Sequence, residues 1–141
     1  MPSSFSGEGR IIFTRDFTVD EELARRRKVA EIYRSALTMI KHPIQSDGAR
    51  NPSFSIYPVL FNSRETRDRV QAELTRRGLW SRVYYPYPLH LQPAFSFLGY
   101  KPGDFPKAEQ ACETILALPM DLNLIQQELA IETIKGALGE K

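Results

Sequence analysis

The residues best suited to chemistry stand in one stretch, Tyr84-Tyr85-Pro86-Tyr87-Pro88-Leu89-His90-Leu91-Gln92-Pro93. It combines aromatic rings with one imidazole and one amide. Three prolines fall within these ten residues. Each fixes its own φ and biases the preceding residue towards an extended shape. A regular helix and an ordinary central strand are both excluded. The expectation is a strand end passing into a stiff, extended loop. Such a loop is ordered before any ligand arrives, which suits the wall of a binding site. The competing reading is a Pro-rich cover over a hydrophobic face.

Other chemical signals are sparse. His42 and His90 are the only histidines, and neither has metal-ligand spacing with cysteine or carboxylate. No glycine motif precedes a helix in the way that cradles phosphate, and no Gly-x-Ser-x-Gly elbow occurs. Cys112 falls on the apolar stripe of an expected helix, where a small core residue is the simpler reading than a nucleophile. Arg25-Arg26-Arg27-Lys28 could meet phosphate, but a solvated helix face is expected.

The elements that must position the loop follow from composition and periodicity. A chain of 141 residues suits one domain. With 42% hydrophobic and 26% charged residues it should be globular. A net charge of +2 provides no strong field for nucleic acid or an acidic membrane. A single cysteine excludes an internal disulfide framework and fits a reducing compartment. No apolar run could span a bilayer, and the first residues show no secretory pattern, so a cytoplasmic protein is expected.

Residues 1–19 read as a loose arm with a short β-prone run at 10–14, and residues 20–141 as the domain. Thr18 and Glu21 form a capping box that opens a helix to about residue 40. Its apolar positions Leu23, Val29, Ala30, Tyr33, Ala36, Leu37 and Ile40 share a face. Residues 54–61 read as a strand in which Pro58 demands an edge or a bulge. A second helix is capped by Asn62 or Ser63, with Glu65 placed to complete a box from Asn62. It stops at Gly78. Residues 79–85 read as another strand. Asp104 is expected to cap a third helix, a short strand is expected within residues 115–120, and Asn123 with Gln126 opens the last helix. The fold class is therefore α+β: a two-layer arrangement of a small, mainly antiparallel sheet of about three strands and about four helices.

Several of these pieces together resemble a known family. Tyr85-Pro86-x-Pro88-Leu89-His90-x-Gln92-Pro93, then Leu98-Gly99-Tyr100, then Gly103-Asp104-Phe105-Pro106-x-Ala108-Glu109, resemble the C-terminal domain of the DegT/StrS sugar-nucleotide aminotransferases, which use pyridoxal phosphate. Leu116-Ala117-Leu118-Pro119-Met120 resembles the run that follows. Arg26-Arg27, Ala30 and residues 33–37 resemble the helix that opens that domain. Ser6-Gly7-Glu8-Gly9 with the run to Thr14 resembles the segment after the family's catalytic lysine.

The resemblance implies the small domain of a fold-type I aminotransferase, whose Pro-rich loop walls a nucleotide-sugar pocket. By position, Tyr85, Tyr87, His90 and Gln92 would face substrate: rings stack on a base or sugar, and the imidazole and amide bond hydroxyl or phosphate oxygens. The family's large cofactor-binding domain has no counterpart here. Lys28, Lys41, Lys101, Lys107, Lys135 and Lys141 all lack the catalytic context, so no catalytic or cofactor-binding residue is assigned. The implied partners are a large-domain chain or a second copy in a homodimer, and the implied ligand a nucleotide sugar. The alternative role is a homo-oligomeric assembly module, or a nucleotide-sugar binder that retains the loop without the chemistry.

Overall fold

The computed structural model describes residues 18–43 and 52–139. In chain order these form α1 (Val19–Ala36), β1 (Tyr57–Leu60), α2 (Arg64–Arg76), α3 (Pro106–Thr114), β2 (Ile115–Leu118) and α4 (Leu124–Leu138). Two 3₁₀ segments, Leu89–Leu91 and Pro93–Leu98, lie between α2 and α3. The β-prone run at 10–14 and the glycine motif before it fall outside the described residues.

Local rules set the helix starts. Thr18 Oγ1 accepts the Glu21 N–H while the Glu21 carboxylate accepts the Thr18 N–H, and Asn123 and Gln126 repeat the reciprocal pair at α4. Ser63, not Asn62, caps α2, and its hydroxyl accepts the Thr66 N–H. α1 ends at Ala36, earlier than expected, because Lys41 must be extended to exchange two backbone bonds with Leu60.

β1 and β2 pair antiparallel, with Tyr57 opposite Leu118 and Leu60 opposite Ile115. Both strands are edges, which is where Pro58 is tolerated. Single bridges flank them: Lys41 with Leu60 outside β1, and Arg82 with Ala117 outside β2. The expected strand over residues 79–85 is thus reduced to one bridge. Beyond Arg82 the chain soon meets Pro86 and Pro88, which have no N–H to extend a ladder. The expected strand at 54–61 is likewise trimmed, since Phe54 takes φ 47° and cannot continue an extended run.

α2 packs against α4, and this helix pair shares with the sheet a core that includes Val59, Val70, Leu74, Leu116, Ala130 and Ile134. Arg67 is buried on α2 despite its charge. Its guanidinium pairs with Asp68 and donates to the Ile115 carbonyl, so burial leaves it satisfied. Gln127 is also buried and donates from Nε2 to the Val29 carbonyl at 2.9 Å, joining α4 to α1.

Tyr33 and Tyr57, both fully buried, stack at 5.7 Å between ring centroids. Burial, reinforced by Tyr57, pushes the Tyr33 phenol well above its ordinary range, so its hydroxyl stays protonated and donates to the Pro119 carbonyl at 2.8 Å. His42 lies between Leu37 and Tyr57. Its Nε2 is 2.7 Å from the Leu37 carbonyl, which only accepts, so Nε2 carries the proton. Nδ1 then accepts from the Tyr57 hydroxyl at 3.0 Å.

The basic run on α1 is largely engaged with the protein itself. Arg25 and Arg26 both reach Glu22 at 2.9 Å, and Arg25 also reaches Asp121 at 3.1 Å, tying α1 to the start of α4. The hydrogen bond from Arg25 is the main reason the Glu22 carboxyl is pulled down to about 2. Glu22 therefore holds its pairs with Arg25 and Arg26 within α1 above the usual carboxylate range and releases them as pH falls towards that value.

Candidate functional site

The Pro-rich loop leaves the sheet at the Arg82 bridge and returns at α3, so both ends are anchored on β2. Between them the chain makes two short 3₁₀ turns. Gln92 is the hinge: its N–H bonds to the Leu89 carbonyl and its carbonyl accepts the Phe95 N–H. The second turn stops at Gly99, at φ 75°, a left-handed position that glycine takes without penalty.

Glu109 holds the loop closed. From the first turns of α3 its carboxylate accepts the Gly103 N–H at 2.8 and 3.0 Å, the Phe105 N–H at 3.4 Å, and His90 Nε2 at 3.1 Å. These bonds, the one from Gly103 first, hold its carboxyl below the ordinary range. An ionised carboxylate only accepts, so Nε2 of His90 carries a hydrogen and Nδ1 is left with no protein partner among the described residues. The His90 ring is also clasped edge-on by Phe105 at 4.8 Å and Tyr100 at 6.3 Å. With Leu89, Phe95 and Leu98 these rings line a cavity of about 340 Å³.

The four residues singled out from sequence therefore divide. Tyr85 and Tyr87 are 69% and 68% exposed and present their rings outward. Gln92 is half-buried at the hinge. His90 turns inward, its side chain only 8% exposed and committed to Glu109 through one nitrogen. The expected cap Asp104 instead accepts the Lys101 N–H at 2.8 Å, and Phe105 stands at the start of α3 with no side-chain cap. Cys112 is half-buried, and burial pushes its thiol up, away from nucleophilic character.

Two features were missed from sequence. Glu109 was only part of a resembling string, because its role depends on partners that folding brings to it. At the root of the loop, the Arg82 guanidinium lies 4.4 Å over the Trp80 ring. Together with Tyr84 and Arg26 they border a cavity of about 240 Å³. A tryptophan two residues before an arginine was the only sequence signal.

With this geometry in hand, residues 17–135 match the model of the DegT/DnrJ/EryC1/StrS aminotransferase family. The chain belongs to that family. It is 39% identical over 123 residues to the pleiotropic regulatory protein of Geobacillus stearothermophilus, covering 82% of this chain and 32% of that protein. It is 36% identical over 66 residues to the dTDP-3-amino-3,4,6-trideoxy-alpha-D-glucose transaminase of Streptomyces venezuelae, covering 46% of this chain and 17% of that enzyme. Among solved structures, S. venezuelae DesV in complex with a ketimine intermediate superposes with a TM-score of 0.74 at 28% identity, over 83% of this chain and 32% of that one. The chain thus spans about a third of the length of the first relatives it matches. The sheet-and-helix layer is that of fold-type I aminotransferases.

A Streptococcus pneumoniae protein named as a sugar aminotransferase, 28% identical with a TM-score of 0.72, is solved in a pyridoxal phosphate form; that group needs a lysine for its aldehyde and a carboxylate for its ring nitrogen. The described residues do not fit that group. Lys28, Lys41, Lys101 and Lys107 are exposed and Lys135 is half-buried on α4. Lys28 lines one cavity, and Lys41 with Lys107 another, and no carboxylate lines either. No described helix is long and apolar enough to cross a membrane.

Proposed function

We propose that this domain serves as the small, C-terminal part of a sugar-nucleotide aminotransferase. It supplies a wall of the nucleotide-sugar pocket, and polypeptide outside this sequence supplies the lysine that holds the cofactor. The observation that carries the reading is the loop closed by Glu109, which leaves the Tyr85 and Tyr87 rings facing outward from a rigid base. Those rings offer faces for a base or sugar. Nδ1 of His90 and the Gln92 amide are the remaining polar groups of this wall. Leu124 and Ile125, 66% and 76% exposed beside a cavity between α1 and α4, leave an apolar face of the kind a further polypeptide covers.

Titration of the protein with thymidine- and uridine-diphosphate sugars, followed by amide NMR, tests the reading. Saturable shifts are expected at residues 84–92. Replacing one ring, Tyr87→Ala, should weaken binding about two- to tenfold, the loss of one aromatic contact worth about 0.5–1.5 kcal/mol. A folded protein that shows no saturable shift with any nucleotide sugar would overturn it, as would binding indifferent to both Tyr85→Ala and Tyr87→Ala.

A further inference from the structure

A second polar cleft lies away from the loop's exposed rings, between α3 and the edge of β1. Its volume is about 300 Å³, and Lys41, Asn62, Lys107, Gln110 and Thr114 are among the residues that line it. Lys107, Gln110 and Thr114 follow the three- and four-residue spacing of one helix face. The opposite wall is rigid. Lys41 exchanges backbone bonds with Leu60 at 3.2 and 2.9 Å, and the Phe61 N–H donates to the Thr114 carbonyl at 3.0 Å, clamping the two walls together.

The charge balance of this cleft is one-sided. No carboxylate lines it. Neither Lys41 nor Lys107 has an ion pair among the described residues, and Glu109 on the same helix is spent on Gly103, Phe105 and His90. Two ammonium groups therefore share one concave surface whose lining holds no carboxylate. Asn62 and Gln110 add amide N–H donors. Thr114 does not: its hydroxyl donates to the Gln110 carbonyl at 2.9 Å.

We propose that this cleft binds a small phosphate-bearing anion, held between Lys41 and Lys107 with the Asn62 and Gln110 amides as donors. Lysines act on phosphate as point charges, so binding should be salt-sensitive and tolerant of what the phosphate is attached to. The inference is independent of the role given to the Pro-rich loop.

Amide NMR titration in low-salt buffer tests it, with inorganic phosphate in one arm and pyrophosphate in the other. Saturable shifts are expected at residues 41, 62, 107 and 110, tighter for pyrophosphate if a diphosphate is the fitting ligand and equal if a single phosphate is. The double variant Lys41→Gln/Lys107→Gln should lose about tenfold or more in affinity, since each ammonium contributes about 1 kcal/mol at contact distance in water. Both side chains are exposed, so its unfolding midpoint should match the parent's. Lys101→Gln, an exposed lysine that does not line the cleft, should bind as the parent does. Shifts scattered over the α1 arginines, affinity unchanged in the double variant, or equal loss in Lys101→Gln would each overturn the proposal.

Discussion

Tyr57→Ala should be the most damaging single substitution in the sheet, lowering the unfolding free energy by about 3–5 kcal/mol in chemical denaturation. The ring is fully buried and touches three others: Tyr33 at 5.7 Å, Phe54 at 5.6 Å and His42 at 5.9 Å between centroids. It stands at the end of β1 opposite Leu118, where the sheet meets α1. Removing it leaves a void that close-packed neighbours refill only in part. Against a usual domain stability of about 5–15 kcal/mol, that loss is a large share. Tyr57→Phe separates packing from hydrogen bonding. It keeps the ring but takes away the donor to His42 Nδ1, so a loss of only about 1–2 kcal/mol is expected. Equal losses in the two variants would mean that the hydroxyl, not the ring, matters.

Glu109→Ala should have the largest effect on the loop while leaving the core nearly untouched. Four hydrogen bonds converge on this carboxylate, from Gly103, Phe105 and His90. Without it, amide exchange at Gly103 and Phe105 should accelerate about tenfold or more, as expected when charge-assisted bonds to a loop are lost. Exchange in α2 and α4 should not change. Glu109→Gln retains an oxygen for the Gly103 N–H but not the charge, and should restore part of the protection. Acid should act in the same direction as the alanine variant. The carboxyl is held below its ordinary range in the folded loop, so its contribution is complete above that range and lost as pH falls through the lowered value. Exchange rates unchanged in Glu109→Ala would show that the aromatic contacts alone shape the loop.

The reach of the sequence can be judged from individual residues. The capping boxes at Thr18 and Asn123 were legible because they depend only on residues three apart. The absence of a long α-helix or a strand over residues 84–93 was legible because closely spaced prolines limit the backbone whatever surrounds it. Asp104 was misread as a helix cap because the same carboxylate can serve a turn: it takes the Lys101 N–H instead. The strand over residues 79–85 was overextended since hydrophobicity marks pairing potential, not the partner length available; β2 offers only Ala117 to Arg82. Arg67, His42 and Glu109 could not be placed at all. Their partners lie at Ile115, at Tyr57, and at Gly103 and His90, and only folding brings them together.

The most direct test of the central claim is to mix the purified protein with pyridoxal phosphate and an amino donor, reduce with borohydride, and weigh the intact chain by mass spectrometry. The expected result is no stoichiometric adduct at a single lysine and no conversion of the donor. A one-to-one adduct fixed to one lysine, accompanied by turnover of the amino donor, would contradict it.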